Sequence, residues 1–422
     1  MASNIDITGQ YTINGVPIGG GGGGGLPPYL ETDDTTLSVW NNGTGNINTN
    51  TVFGESVLSF NTTGSQNGGF GFSALNSNTT GFSNIAFGQL ALSSNTVGYA
   101  NVGIGDMSLL ANQIGNNNIA IGAAALQNSS NQNDNIAIGT ASLASSNTST
   151  NLAVGNYALQ NSQAIRNLAI GYYALNNHRF GPDNLAIGAY ALLNNYDGQE
   201  NIAIGTSSLV GNTSGDYNIA IGFNAMSNSN DSQYNIAIGS LALSQGVTLG
   251  TDNIAIGYQA LYVGANNSYN NIAIGRKALQ AANTSSNIAI GLQALEKATT
   301  GDSNLAMGTL TAQNLTTGAA NVNLGASASP ALTTGSWNVA VGVAGMGTNA
   351  TGSSNVAIGA STSIPNYSSC IVIGRGATAT ANNQFVVGSA TYTSGAVTTE
   401  TVASTRTWSV VINGVARKIL LA

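Results

Sequence analysis

The single histidine of this 422-residue chain lies in His178-Arg179-Phe180-Gly181-Pro182-Asp183, the most irregular stretch of a monotonous sequence. A solvated turn is the plain reading of those six residues; His178 and Arg179 as receptor contacts is the sharper one. Asp134, Asp183, Asp216, Asp231, Asp252 and Asp302 each stand just before, or a few residues ahead of, a recurring Asn. Turn chemistry accounts for Asp at such places. Calcium is the alternative, but the Gly-Gly-x-Gly-x-Asp repeat is absent. Tyr196, Tyr217, Tyr234 and Tyr269 fall near the same edge of the repeat, where aromatic rings stack either on sugars or on one another. No two carboxylates stand out as a glycosidase pair. No catalytic residue, metal ligand or cofactor is therefore assigned, and the chain is expected not to be an enzyme.

Composition points the same way. Lys+Arg number 9 and Asp+Glu 16, so charged residues are only 6% of the chain, against about 25% in ordinary soluble domains. One His and one Cys exclude a His/Cys zinc site and a disulfide framework. Nine scattered basic residues and a net charge of −7 argue against nucleic acid as a partner. The N-terminus has neither the cationic nor the apolar region of an export signal, and no run of 18 apolar residues suggests membrane insertion.

What must position these residues is a repeat. The unit Asn-[Ile/Leu/Val]-Ala-[Ile/Val]-Gly has its Asn at 50, 67, 84, 101, 118, 135, 151, 167, 184, 201, 218, 235, 253, 271, 287, 304, 321, 338 and 355, with looser matches in the earliest units. The spacing is almost always 17, with a few of 16 or 18, and shortens to 15 and 14 at Cys370 and Gln384. About 21 coils result. That period is too short for helix-turn-helix repeats and fits a stacked β-solenoid. With Asn as position 0, Ala and Leu recur at +7 and +8, as in Ala125-Leu126 and Ala260-Leu261. The expectation is two short strands and two turns per coil. The large residues at +1 and +3, such as Ile254 and Ile256, are expected to point inward to meet Leu at +8. Ala at +2 is then outside, on a flat face that identical chains cover. Gly at +4 is expected at φ > 0, and the Asn side chains are expected to stack as an amide ladder.

These residues carry a resemblance. Asn-Ile-Ala-Ile-Gly with its following Ala resembles the head repeat of YadA-like trimeric autotransporter adhesins, and the 17-residue form ending in Ala-Leu resembles virion and phage fibres built on the same roll. The likeness covers roughly residues 50–390. It implies an all-β, left-handed parallel β-roll assembled as a parallel homotrimer, with small β end-caps.

The ends are read separately. Residues 1–18 form an attachment hairpin about Asn14-Gly15. Residues 19–25 are a polyglycine run, either a hinge or a three-chain bundle, and 26–49 a cap over the first strand edge. Residues 391–422 form a closing or trimerising hairpin about Asn413-Gly414. The functional expectation is a virion fibre, most simply a bacteriophage tail or head fibre. It would dock on another virion protein through residues 1–25 and reach a host cell-surface glycan or protein. A bacterial surface adhesin, located on the cell rather than the virion, and a polysaccharide-binding or -cleaving spike are the alternatives.

Overall fold

In a computed structural model the chain is all-β, with no helix among the described residues. The structure describes residues 12–13, 16–17, 39–41, 50–245, 250–263, 268–392, 407–412 and 415–420. Twenty-one three-residue strands, from Thr51–Phe53 to Phe385–Val387, follow one another in chain order as a parallel β-solenoid. Register is held from coil to coil. Ile236, Ala237 and Ile238 lie beside Ile254, Ala255 and Ile256, which lie beside Ile272, Ala273 and Ile274. The row is open at its ends: Phe385–Val387 pairs with Ile371–Ile373, while Thr51–Phe53 has Val39–Asn41 antiparallel on its outer side. With ~20 strand spacings of ~4.8 Å the rod is about 100 Å long.

The two faces of the strand are the reverse of the sequence expectation. Ala120, Ala137, Ala255 and Ala273 at +2 are wholly buried, as are the Ala at +7 and the Leu at +8 (Ala260, Leu261). Residues at +1 and +3 point outward; Ile121 is 36% exposed and Phe87 58%. The reason is the thinness of the roll. Position +2 faces +7 across the interior, so that a Cβ added to Gly69 would overlap Val57 of the preceding coil. Two small side chains fit there and two isoleucines do not. At +5 the outer surface is mixed: Phe72, Tyr172, Phe223 and Tyr258 are exposed, while Glu55, Asp106, Asn156 and Arg276 hold the same position in other coils. One chain thus carries apolar columns at +1 and +3 along the whole rod.

The return half of the coil is not a second strand. Residues at −1, +6 and +8 take left-handed conformations, with φ of 57° at Asn117, 57° at Ala124 and 52° at Leu126. Each is disfavoured for an L-residue by roughly 1–2 kcal/mol. Hydrogen bonds between coils hold them: Leu109 N–H donates to the Ala125 carbonyl (2.9 Å) and Leu126 N–H to that of Ser142 (3.0 Å). Gly at +4 turns the chain as expected. Gly257 has φ 130°, and a Cβ there would stand 2.7 Å from the carbonyl oxygen of Gly275.

The amide ladder is present. Every leading Asn from Asn50 to Asn355 is at most 2% exposed. Its Oδ1 accepts the backbone N–H of the next leading residue, at 2.8 Å from Asn67 to Asn50 and 3.1 Å from Asn355 to Asn338. In most coils its Nδ2 donates to a carbonyl 14 residues on, as from Asn201 to Gly215 (2.8 Å), while Asn167 and Asn287 turn theirs to the carbonyls of Ile165 and Ser285. Coils of other lengths absorb the difference before that carbonyl. Asn151 reaches Ala164, 13 residues on, and Asn253 reaches Ser268, 15 on. The column ends at Cys370, whose N–H donates to Asn355 Oδ1 and whose thiol takes the place of the amide.

A second column, at +11, is mixed. Asn78, Asn95 and Asn112 hydrogen-bond in sequence, and so do Asn195 and Asn212. Where serine follows, the last acceptors, Asn112 Oδ1 and Asn212 Oδ1, are left without a partner. The coil 321–337 departs further: Asn323 replaces Ala at +2 and Ser329 replaces Leu at +8, both buried, with Asn323 Oδ1 and Nδ2 and Ser329 Oγ unpaired. At the ends, Thr12–Ile13 pairs with Val16–Pro17 and Thr407–Ile412 with Val415–Leu420, both antiparallel. These pairs flank Asn14-Gly15 and Asn413-Gly414; the turn residues and the run Gly19–Gly25 lie outside the described residues.

Candidate functional site

The coil corner at +10 to +12 carries a recess. Its walls are two short rows running along the rod: Asn161 and Asn177 at +10, and Gln163, Arg179 and Tyr196 at +12. His178, at +11, is its floor. The +12 row is in register through backbone bonds, Gln163 N–H to Arg179 O (2.9 Å) and Arg179 N–H to Tyr196 O (3.0 Å). The recess is an open cleft of about 430 Å³. It forms where a 16-residue coil, 151–166, abuts a 17-residue one.

Arg179 is the pivot. Its guanidinium carbon lies 4.9 Å from the Phe180 ring centre and 5.6 Å from that of Tyr196, and it donates to the Tyr196 hydroxyl. Phe180 and Tyr196 meet edge to face at 6.1 Å. Among the described residues no carboxylate pairs with Arg179, although Asp197 follows Tyr196 in the chain. Asp183 is not part of the cleft's chemistry, because Arg166 holds it at 2.7 Å. The Arg166 hydrogen bonds and charge keep its carboxyl below the usual range.

His178 is not at the surface, as a receptor contact or a solvated turn requires. It is fully buried within the roll. The +11 side chain points inward in this coil as Ser162 and Asn195 do in its neighbours. Asn184 Nδ2 lies 3.5 Å from His178 Nε2, and Ser162 Oγ lies 3.2 Å from its Nδ1. Burial pushes its pKa from 6.5 down to about 4. The folded chain therefore keeps the ring neutral while the unfolded chain takes up a proton below pH 6.5. Stability is full above pH 6.5 and falls towards pH 4. We expect a local loss of about 2 kcal/mol by pH 5. His178→Asn matches the neighbouring column and should remove that loss, read as the difference in melting temperature between pH 7 and pH 5. Equal pH dependence in both proteins would refute it.

The other tyrosines lie elsewhere. Tyr217 and Tyr234, at −1, stack at 5.0 Å with planes 3° apart and are exposed. Glu200 and burial raise the Tyr217 pKa. Tyr269 is exposed two coils further along. The structure thus joins Tyr196, Arg179 and His178 in one place and leaves Tyr217, Tyr234 and Tyr269 outside it. Sequence reasoning missed Asn161, Gln163 and Asn177; the 16-residue spacing before Asn167 was the available signal. It also missed the cluster of Tyr157, Tyr172, Tyr173 and Tyr190, of which Tyr172 and Tyr190 are exposed and the others half-buried, with neighbouring rings 4.5–6.3 Å apart. Asp216, Asp231 and Asp302 accept hydrogen bonds from the preceding coil, as from Gln199 N–H (2.9 Å), Ser214 Oγ (2.5 Å) and Ser285 N–H (3.0 Å). Among the described residues no three His, Cys, Asp or Glu side chains converge. No family model matches the chain, and no curated protein is significantly similar to it.

Proposed function

We propose that this chain is the shaft of a trimeric virion fibre, of the kind that bacteriophages carry on tail or head, which contributes to attachment at the host surface by binding rather than by catalysis. The observation that carries the reading is the outward apolar face at +1 and +3. Contiguous apolar patches far beyond a few hundred Å² are rarely left in water. This one repeats at every strand spacing, so the partner that covers it in register at every level is another copy of the same coil. Parallel association of three chains joins three thin rolls about a common apolar core. The YadA-like head repeat, with its left-handed roll and threefold assembly, is the architecture this reading adopts. Residues 1–25 are assigned to docking on the particle and 391–422 to the distal end.

Light scattering on the purified chain should give three times the chain mass at micromolar concentration. Ile254→Lys with Ile256→Lys would set two cations per chain into the joined face, and should shift the mass towards the monomer. A monomeric parent, or a double variant that remains fully trimeric, would refute the assembly.

A further inference from the structure

We propose that the cleft at Arg179 and Tyr196 binds an acidic saccharide, the carboxylate of a uronic-acid-type sugar meeting Arg179 and the sugar ring lying on Tyr196. The proposal deepens the attachment reading above and rests on it for its biological meaning. Three features converge on that ligand chemistry. Arg179 is exposed, lies beside the Phe180 and Tyr196 rings and donates to the Tyr196 hydroxyl, and no carboxylate of the described residues pairs with it. A guanidinium fork so placed matches a carboxylate in two parallel hydrogen bonds. Tyr196, 42% exposed, offers an aromatic face beside it. The amides across the cleft then supply hydroxyl recognition. Asn161 Nδ2 is turned to the Asn176 carbonyl and Asn177 Nδ2 to Asn194 Oδ1, which leaves the Oδ1 of both as acceptors. Among the described residues the Gln163 side chain has no hydrogen-bond partner, which leaves its donor and acceptor for a ligand.

The cleft's ~430 Å³ lies in the range of small-molecule sites, about 300–1,000 Å³. Its openness suits a sugar within a longer chain, with neighbouring units running out along the rod. A neutral glycan would leave the guanidinium unused. A phosphate would leave the tyrosine face and the amide rows unused. An assembly of several chains repeats the cleft and gains through multivalency what a single weak site lacks.

Saturation-transfer NMR on the whole protein, with glucuronate and its neutral counterpart glucuronamide as probes, tests this directly. Glucuronate is expected to bind at roughly millimolar strength and at least ~5-fold more tightly than the amide. Arg179→Gln should remove the preference, Arg179→Lys should restore part of it, and Tyr196→Ala should weaken both probes. These side chains are exposed, and unchanged melting of each variant establishes that the fold is intact. No transfer from glucuronate, equal binding of the two probes, or a preference that survives Arg179→Gln would overturn the proposal. Chain mass, measured separately, decides the trimer, so either can fail alone.

Discussion

An Ala255→Glu chain is expected to lose the solenoid around that coil, whatever its state of association. Ala255 is wholly buried between the strand and the Ala260-Leu261 segment. No cation or donor faces it there, and the added carboxylate has neither room nor a partner. Burying such a charge costs several kcal/mol, and overpacking adds to it. The neighbouring coils share the damage because each stacks on the next. Ile256→Glu, one residue further along the same strand, places its charge on the outer face and should leave the roll folded while weakening association. Amide exchange across residues 235–290 separates the two outcomes: protection lost in Ala255→Glu and kept in Ile256→Glu. The opposite pattern would return the large residues to the interior.

That contrast also marks what the sequence made legible. The period, the number of coils, the turn at Gly257 and the Asn column follow from spacing alone, because each repeats in register and has one local cause. The alternation of Ile254, Ala255 and Ile256 defines two faces but does not say which one is inside. Hydrophobicity favours the isoleucines inside, and the cross-section of a 17-residue coil forbids it. One signal was available at the N-terminal end, where +7 is the larger Val57 and the facing +2 is Gly69. A small-for-large exchange between those positions places them against each other. The left-handed leucines, such as Leu126, had no such signal, since leucine has no preference for that conformation. The cleft was half legible. Arg179 and Tyr196 were visible as irregular residues, but their meeting with Asn161 depends on coils of unequal length being stacked.

Asn253→Asp should be among the most damaging changes that keep a side chain's shape. Asn253 Nδ2 donates to Asn235 Oδ1 (3.0 Å) and to the Ser268 carbonyl (2.9 Å), while its Oδ1 accepts from the Asn271 N–H and Nδ2 (3.1 Å each). An aspartate keeps the two bonds it accepts. It loses both it donates and turns a carboxylate oxygen towards two acceptors at a site 1% exposed. At pH 8 the expected loss is about 3–5 kcal/mol, compounded of an unpaired carbonyl and a buried charge. Protonation restores one donor, so burial and the facing oxygens raise the folded-state pKa above the ordinary ~3.9. The sign follows: the native state holds its proton to higher pH than the unfolded chain, so the variant's deficit is smallest below ~3.9 and grows as pH rises through the folded pKa. This is opposite to the trend at His178, whose stabilisation is lost on acidification, and parent and variant share that histidine. The difference between their denaturation midpoints, measured from pH 4 to pH 8, isolates the Asn column. A variant as stable as its parent at pH 8 would mean that strand pairing and the Ala-Leu core, without the amide ladder, hold successive coils together.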